Sequence, residues 1–200
     1  LPISPSPPMT PGCSHPRWRR LAGGLLLVPF LAAAAPVPLG SPVPNLPFTD
    51  IRALPRSLDD FGKPRATVLV FTTTGCPLVQ RYLPGLAALA RQHASNGVQF
   101  AAVHVGPDDS IADMALQALE HHVTFPFVKD TDGSVVRALG VRRTPEVVVL
   151  DGERRLRYRG RIDDQHRLGG SKPGPVREDL ALRSEEHTSE LQSPYVISYA

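Results

Sequence analysis

The sequence predicts an α/β fold in which a mixed central sheet carries helices on both faces. The first observation behind this prediction is the order of the predicted elements, β-α-β-α-β-α-β-β, along the middle of the chain. The second is residues 68–81, VLVFTTTGCPLVQR, where an apolar β-branched run passes through a threonine-rich turn into a helical pattern. A strand, a turn and the start of a helix therefore surround Cys76, which stands in the turn.

Length and composition predict one main domain. The 200 residues, 42% of them hydrophobic, are enough for one modest core. The formal net charge is +3 and the arginines are scattered, a bias too weak to predict a nucleic-acid partner. The two cysteines are Cys13 and Cys76, so removal of an N-terminal segment would leave one thiol and no internal disulfide.

Residues 1–35 are predicted to be a secretory signal peptide. Within them, 17–35 have its three parts, which are a basic start, an apolar middle and an alanine-rich end. The apolar part is shorter than the about 20 residues that a membrane span needs. We therefore expect cleavage after Ala34, with a retained anchor as the alternative, and export to the periplasm or the extracellular space of a bacterium. No membrane association is expected after cleavage. Met9 would give a signal peptide of ordinary length, so residues 1–8 are expected to be an over-extended start.

The sequence after residue 35 predicts a linker followed by the main domain. Residues 36–45 are rich in proline and have no helical or strand period, which predicts a linker, and the domain is expected over 46–182. The first predicted elements are a strand at 46–50, a capped turn at 57–61 and a buried strand at 67–72.

Beyond Cys76, apolar residues at helical spacing predict a helix from Leu78, kinked at Pro84 and closed by Asn96-Gly97. The later predicted elements are a strand at 98–105, a helix capped by 108–110 and ending near His121, a strand at 125–128, a short helix at 135–139, and a hairpin of strands 146–150 and 156–159.

Residues 183–200 depart from everything before them, because they have no helix caps and no clear apolar face. This tail resembles the translation of a common sequencing-library adapter. We therefore expect an artefact, exclude the tail from fold and function, and expect the natural chain to continue past about Leu182. A genuine disordered tail is the alternative interpretation.

Cys76 is the leading candidate for catalysis because it stands at the start of a helix. Pro77 suits the first helical position, where its missing N–H would have had no partner. The first N–H groups of the helix point back at the sulfur and the helix dipole favours negative charge there. Both effects favour the thiolate, which is the nucleophilic form. A buried structural cysteine is the alternative.

Over about residues 44–182 the chain resembles the thioredoxin-fold redoxins, the group that contains the AhpC/TSA peroxiredoxins and the TlpA-like thiol-disulfide proteins. Residues 73–77, TTGCP, lie where redoxins keep their reactive cysteine. Residues 143–145, RTP, look like the cis-proline loop that faces that cysteine, and 158–165, YRGRIDDQ, look like the end of the sheet in a bacterial exported subgroup. The resemblance implies a thioredoxin-like fold for this domain.

Two departures limit what the resemblance implies. Val79 stands where a thioredoxin has the second cysteine of Cys-x-x-Cys, which excludes dithiol exchange within one site. Thr73 matches the threonine of the peroxiredoxin pattern Pro-x-x-x-Thr-x-x-Cys, but Leu69 replaces its proline. Half of the peroxidatic motif is therefore present.

The resemblance implies a catalytic Cys76, with Thr73 hydrogen-bonding the thiolate or a peroxide and Arg143 stabilising charge. The implied substrate-binding residues are Gly75, Pro77, Thr144 and Pro145. No cofactor is expected, and no metal, because no ligand spacing joins Cys76 to the histidines His104, His121 and His122.

The sequence thus predicts an exported, thiol-dependent redoxin that uses one reactive cysteine, an antioxidant oxidoreductase that reduces peroxides or exchanges with disulfides. An external thiol would be its reductant. The alternative is a non-catalytic thioredoxin-fold binding or sensor domain of a larger protein. The missing second cysteine favours the binding module, whereas the Cys-Pro pair at a helix start and the Thr-Pro loop favour chemistry.

Overall fold

The computed structural model describes residues 35–167, 170–171 and 179–180. The expected signal peptide up to Ala34, Cys13 and the expected tail lie outside the described residues. Within the described part, the helices are α1 (Pro77–Ala94), α2 (Ile111–Glu120) and α3 (Ser134–Leu139), with a 3₁₀ helix at Leu58–Phe61. No helix among them is long and apolar enough to cross a membrane.

A seven-stranded mixed sheet forms the centre of the domain. The described strands are β1 (Pro47–Asp50), β2 (Pro55–Ser57), β3 (Ala66–Thr72), β4 (Val98–His104), β5 (Phe127–Lys129), β6 (Glu146–Asp151), β7 (Leu156–Gly160), β8 (His166–Arg167) and β9 (Gly170–Ser171). The sheet order is β2-β1-β5-β4-β3-β6-β7, while β8 and β9 pair with each other. Strands β3, β4 and β5 are parallel, and the other pairs in the sheet are antiparallel. The predicted α/β class with a mixed sheet is confirmed.

Helices lie on both faces of the sheet because the fully buried central strand β3 alternates its side chains between two cores. Val68 and Val70 point to the face that α1 and α2 cover. Leu69 and Phe71 point to the opposite face, which α3 covers. The helical residues that complete these two cores include Leu83, Leu86 and Met114 on the first face, and Val135 and Leu139 on the second.

Two details differ from the sequence-based expectations. Strand β5 begins at Phe127 instead of residue 125, and Pro126 before it has no N–H to give to the ladder, although its carbonyl accepts from Ala102 at 2.9 Å. Strand β2 has only three residues and showed no strand period in the sequence. Helix α1 includes Pro84, and the kink expected there stays a prediction.

The proline-rich stretch 36–45, expected as a linker, packs against the domain. Val37 donates its N–H to the carbonyl of Ala138 at 2.8 Å, and Val43 donates to that of Arg154 at 2.8 Å. The side chain of Val43 is buried in the core on the α3 face. Prolines keep such a stretch extended and remove backbone N–H donors. It therefore docks without the alternation of apolar and polar residues that marks a strand in the sequence.

Candidate active site at the start of helix α1

Cys76 lies directly before helix α1, where the sequence predicts it, with Pro77 as the first helical residue. Its backbone is extended, at φ −87° and ψ 112°, and its carbonyl accepts the N–H of Gln80 at 3.2 Å. Its own N–H donates to the carbonyl of Thr73 at 3.4 Å, which closes the turn. The half-buried sulfur therefore sits at the helix end whose N–H groups lack partners within the helix.

The loop before strand β6 faces this sulfur, because β6 runs antiparallel to β3 and starts where β3 ends. The Sγ–H of Cys76 is directed at the carbonyl of Thr144 across 3.8 Å. The Thr144–Pro145 peptide bond is cis, as the resemblance implied. The buried carboxylate of Glu146 accepts the N–H of Arg142 at 2.8 Å and so closes the loop at its base.

A buried polar network beneath the turn was not predicted from the sequence. Asp109 accepts the Thr74 hydroxyl at 2.6 Å on Oδ1 and the Thr74 N–H at 3.0 Å on Oδ2. The same Oδ2 lies 3.3 Å from Nδ1 of His104, a fully buried residue at the end of β4. The residue two positions before Cys76 is thus fixed by the loop of the neighbouring strand.

In both Asp109 and His104, burial and the hydrogen bond between them shift the pKa in opposite directions. Burial acts to raise the pKa of Asp109, but the hydrogen bonds from Thr74 and His104 outweigh it and hold that pKa below its usual range. Burial lowers the pKa of His104, the carboxylate of Asp109 opposes this change, and the ammonium of Lys129 adds to it. Asp109 is therefore ionised and His104 neutral at neutral pH. The Lys129 ammonium also donates to the backbone carbonyl of Asp109.

Sequence reasoning assigned Asp109 to a helix cap, together with Asp108 and Ser110. In the structure Ser110 alone caps α2, since its hydroxyl accepts the N–H of Asp113 at 3.1 Å. The signal that could have placed Asp109 is topological. Strands β3 and β4 are parallel neighbours, so the residues after β4 lie at the same sheet edge as the turn that carries Cys76.

The other residues implied by the resemblance lie around the sulfur in different ways. Gly75 and Pro77 are exposed beside Cys76. Thr73 is half-buried, and its hydroxyl makes no hydrogen bond with any described residue. Arg143 is exposed at the rim of the loop, and its side chain makes no ion pair within the described part of the chain.

Two clefts flank the loop that carries Thr144, and both include Arg143 in their walls. The first, here called the basic cleft, has a volume of about 440 Å³ and is lined by residues that include Thr73, Lys129, Arg142, Arg143 and Thr144. The second, here called the tyrosine cleft, has a volume of about 380 Å³ and is lined by residues that include Leu78, Tyr82, Arg143, Pro145 and Asp163. Cys76 lines neither cleft, but its contact Thr144 lines both.

The tyrosine cleft has a hydrogen-bonded floor. The Tyr82 hydroxyl donates to the carboxylate of Asp163 and accepts the backbone N–H of His166 at 3.2 Å. Burial of the phenol, helped by the charge of Asp163, raises the pKa of Tyr82. The ring of His166 lies edge-on to the tyrosine ring at 4.6 Å between centroids. Tyr82 is therefore a fixed neutral donor that positions residues 163–166.

No group of three histidine, cysteine or carboxylate side chains in the described ranges is placed to hold a metal ion. His104 already has a hydrogen-bond partner, because its Nδ1 lies 3.3 Å from Oδ2 of Asp109. The expectations of no metal and no cofactor stay predictions.

The sheet order, a cysteine at the start of a helix and the cis-proline loop opposite it define a protein of the thioredoxin-like class. A family model described as Redoxin matches residues 38–172. The chain belongs to the Redoxin family.

Curated relatives are named as thiol-disulfide oxidoreductases. The chain is 28% identical over 123 residues to thiol-disulfide oxidoreductase ResA of Geobacillus kaustophilus, covering 61% of this chain and 68% of that protein. It is 27% identical over 122 residues to the ResA of Geobacillus thermodenitrificans, with the same shares covered.

Solved structures agree on the fold. A hypothetical protein from Sinorhizobium meliloti has a TM-score of 0.62 at 28% identity, covering 68% of this chain and 76% of that one. The thioredoxin domain of a thiol-disulfide oxidoreductase from Bacteroides vulgatus has a TM-score of 0.58 at 19% identity, covering 76% of this chain and 99% of that one. At 19% identity, the likeness to the Bacteroides vulgatus domain shows a shared fold and nothing more.

Proposed function

We propose that this chain is a one-cysteine redoxin that exchanges disulfides through Cys76. The observation that carries the proposal is the position of Cys76, at the N-terminus of α1 and facing the carbonyl of Thr144 across 3.8 Å. A thiol at a helix N-terminus is favoured as thiolate, the attacking form. The names of the two ResA relatives support disulfides as the substrate class.

The reaction needs two steps and an outside thiol. The Cys76 thiolate attacks one sulfur of a disulfide, a Cys76–S–S–R bond forms, and the other sulfur leaves as a thiolate. The position of a resolving cysteine is held by Val79, which is buried in the core with 1% of its surface exposed. A second, external thiolate therefore attacks the mixed disulfide, forms a new disulfide with the R–S group and releases Cys76 as thiolate.

Peroxide reduction is the competing chemistry, and the contacts of the site support it less. A peroxidatic cysteine needs donors that orient the peroxide and stabilise the leaving oxygen, the roles the resemblance gives to Thr73 and Arg143. Within the described part of the chain, neither side chain makes a hydrogen bond with Cys76. Disulfide exchange needs only the thiolate and access to it, which the exposed neighbours Gly75 and Pro77 allow.

The test is to trap the mixed disulfide on the full chain carrying Cys13→Ser, which leaves Cys76 as its one thiol. The reduced protein is mixed with hydroxyethyl disulfide, and intact mass and peptide mapping are recorded. We expect one hydroxyethylthio adduct on Cys76, removed by added thiol, and no adduct when Cys76→Ser is also present. An accessible, reduced Cys76 that forms no adduct would support the non-catalytic binding module instead.

Export is a second part of the proposal, and it rests on the tripartite segment 17–35. Expression in an exporting bacterial host should give a protein whose N-terminus follows Ala34, read by N-terminal sequencing of the periplasmic fraction. Protein in the cytoplasm that keeps its original N-terminus would contradict export without bearing on the exchange chemistry.

A further inference from the structure

The basic cleft combines a substrate-sized volume with an excess of positive charge. Its volume of about 440 Å³ is within the range of small-molecule sites. Three of its lining side chains are cationic, Lys129, Arg142 and Arg143, and one is anionic, Asp130. Three positive charges and one negative charge leave a net charge of +2 on the wall of the cleft.

These positive charges are not neutralised by the described residues. Arg142 and Arg143 are exposed and form no ion pair there. The ammonium of Lys129 donates to the carbonyls of Pro107 and Asp109, which hold the group in place but leave its full charge. The cleft therefore presents one cation held by backbone carbonyls and two exposed guanidinium groups.

The single acidic side chain in the wall lies below the surface. Asp130 is 5% exposed, and its Oδ2 accepts the N–H of Val136 at 2.9 Å. Asp108 and Asp132 are exposed next to lining residues along the chain, but neither lines the cleft. The Asp132 carboxylate accepts the N–H of Ser134 at 3.0 Å. The accessible charge inside the cleft is therefore positive.

Two residues that contact Cys76 line the basic cleft, although Cys76 itself does not. Thr73 lines it, and its carbonyl accepts the N–H of Cys76. Thr144 also lines it, and its carbonyl lies 3.8 Å from the Cys76 sulfur. A molecule bound against Arg142 and Arg143 therefore lies one residue away from the sulfur with which it would react.

We propose that the basic cleft makes Cys76 selective for small disulfides and thiols that carry carboxylates, which the cleft binds through Arg142 and Arg143. The inference rests on the proposed exchange function and names its substrate class. Guanidinium groups suit carboxylates because their N–H groups are spaced for paired hydrogen bonds. In the exchange step Cys76 bonds to one sulfur of the anionic disulfide and the other half leaves as an anionic thiolate. An anionic thiolate then attacks the outer sulfur of the mixed disulfide, a new small disulfide forms, and Cys76 leaves as thiolate.

The experiment compares three disulfides of similar length and different charge on the full chain carrying Cys13→Ser. Dithiodipropionate is anionic, hydroxyethyl disulfide is neutral and cystamine is cationic. Each rate constant for Cys76 is divided by that of mercaptoethanol with the same disulfide, which removes intrinsic reactivity. We expect the normalised rates to fall in the order anionic, neutral, cationic, with the first and last differing by about tenfold at low salt. Raising the salt to about 0.15 M should reduce the ratio, because screening weakens interactions between exposed charges.

Variants locate the effect in the cleft. Combining Arg142→Gln with Arg143→Gln should lower the anionic-to-cationic ratio about fivefold, and Arg142→Gln alone should lower it by a smaller factor. The matched control is Arg91→Gln, which removes the same charge from an exposed position on α1 about 22 Å along the helix from Cys76. It should leave the ratio unchanged.

The outcomes separate this inference from the proposed function. Equal normalised rates for the three disulfides, or equal effects of the cleft and Arg91 variants, would overturn the selectivity and leave exchange by Cys76 standing. Failure of the neutral disulfide to form any adduct with Cys76 would instead overturn the exchange function on which the selectivity rests.

Discussion

The carboxylate of Asp109 holds Thr74 at two points, the hydroxyl at 2.6 Å and the backbone N–H at 3.0 Å. The carbonyl of Thr74 in turn accepts the side-chain amides of Gln80 in α1 and Gln117 in α2, each at 3.3 Å. The turn that carries Cys76 is therefore tied to two helices and to the loop after β4. This arrangement fixes the backbone that aims the sulfur at Thr144.

Replacing Asp109 with asparagine should destabilise the protein. The neutral amide makes no charge-assisted hydrogen bonds with Thr74 and His104, and its NH2 group replaces one of the two acceptor oxygens in a buried place. We expect the free energy of unfolding in urea to fall by about 1–3 kcal/mol. The control is Asp108→Asn at the exposed neighbouring position, which should change it by less than about 0.5 kcal/mol. Equal effects of the two variants would show that the network does not contribute to stability.

Gly106→Ala should disturb the same network by steric contact. A Cβ at this position would lie 2.6 Å from the carboxylate of Asp109, closer than real Cβ atoms approach their neighbours. We expect a loss of about 1–3 kcal/mol in the free energy of unfolding. The matched control is Gly85→Ala on the exposed side of α1, where a Cβ meets nothing within 4 Å. That variant should gain about 0.5–1 kcal/mol from helix propensity, and a comparable gain at Gly106 would contradict the packing described.

His104 should make stability depend on pH below neutrality. Its pKa is lowered in the folded state, mainly by burial, so the unfolded chain takes up the proton first as the pH falls. Its contribution to stability is therefore fully present above about pH 6.5 and is lost as the pH falls toward the folded-state pKa. Unfolding measured between about pH 7.5 and pH 5 should show a steeper loss for the wild type than for His104→Gln. Above neutrality the two curves should run parallel, and parallel curves over the whole range would refute the assignment.

Thr73→Val distinguishes the two chemistries at Cys76. For disulfide exchange we expect only a small decrease in rate, since the Thr73 hydroxyl has no bond to the sulfur or to another described residue. For any residual peroxide reaction, loss of an orienting hydroxyl would cost about 100-fold or more. Stopped-flow rates with hydroxyethyl disulfide and with hydrogen peroxide measure both. A large decrease in the rate with the disulfide would instead show that the Thr73 side chain takes part in disulfide exchange.

The position of Cys76 and the loop that faces it could be predicted from the sequence. A cysteine followed by Pro77 between an apolar strand and a helical period is a local signal, and the structure places it at the start of α1. The cis bond before Pro145 was implied by resemblance and is present. These features could be predicted because each depends on neighbours in the chain or on a family pattern.

Asp109 and His104 could not be assigned in the same way. They lie 35 and 30 positions along the chain from Thr74. Asp109 contacts Thr74, and His104 contacts Asp109, only because β4 pairs in parallel with β3. In the sequence, Asp109 stands where a helix cap is expected, and Asp is common at that position. The sequence therefore predicted a cap and not the hydrogen bonds to Thr74. The docking of 36–45 was missed for a similar reason, since its contacts depend on tertiary structure and leave no period in the sequence.

If Cys76 is a disulfide-exchange thiol, it reacts with disulfides in preference to peroxides. The most direct measurement is the second-order rate constant of Cys76 with hydroxyethyl disulfide and with hydrogen peroxide, on one preparation of the reduced Cys13→Ser chain. Mass spectrometry of quenched samples identifies the mixed disulfide or the trapped sulfenate on Cys76. We predict a faster reaction with the disulfide and a mixed disulfide as the main product. A faster reaction with peroxide, with sulfenate on Cys76, would contradict it.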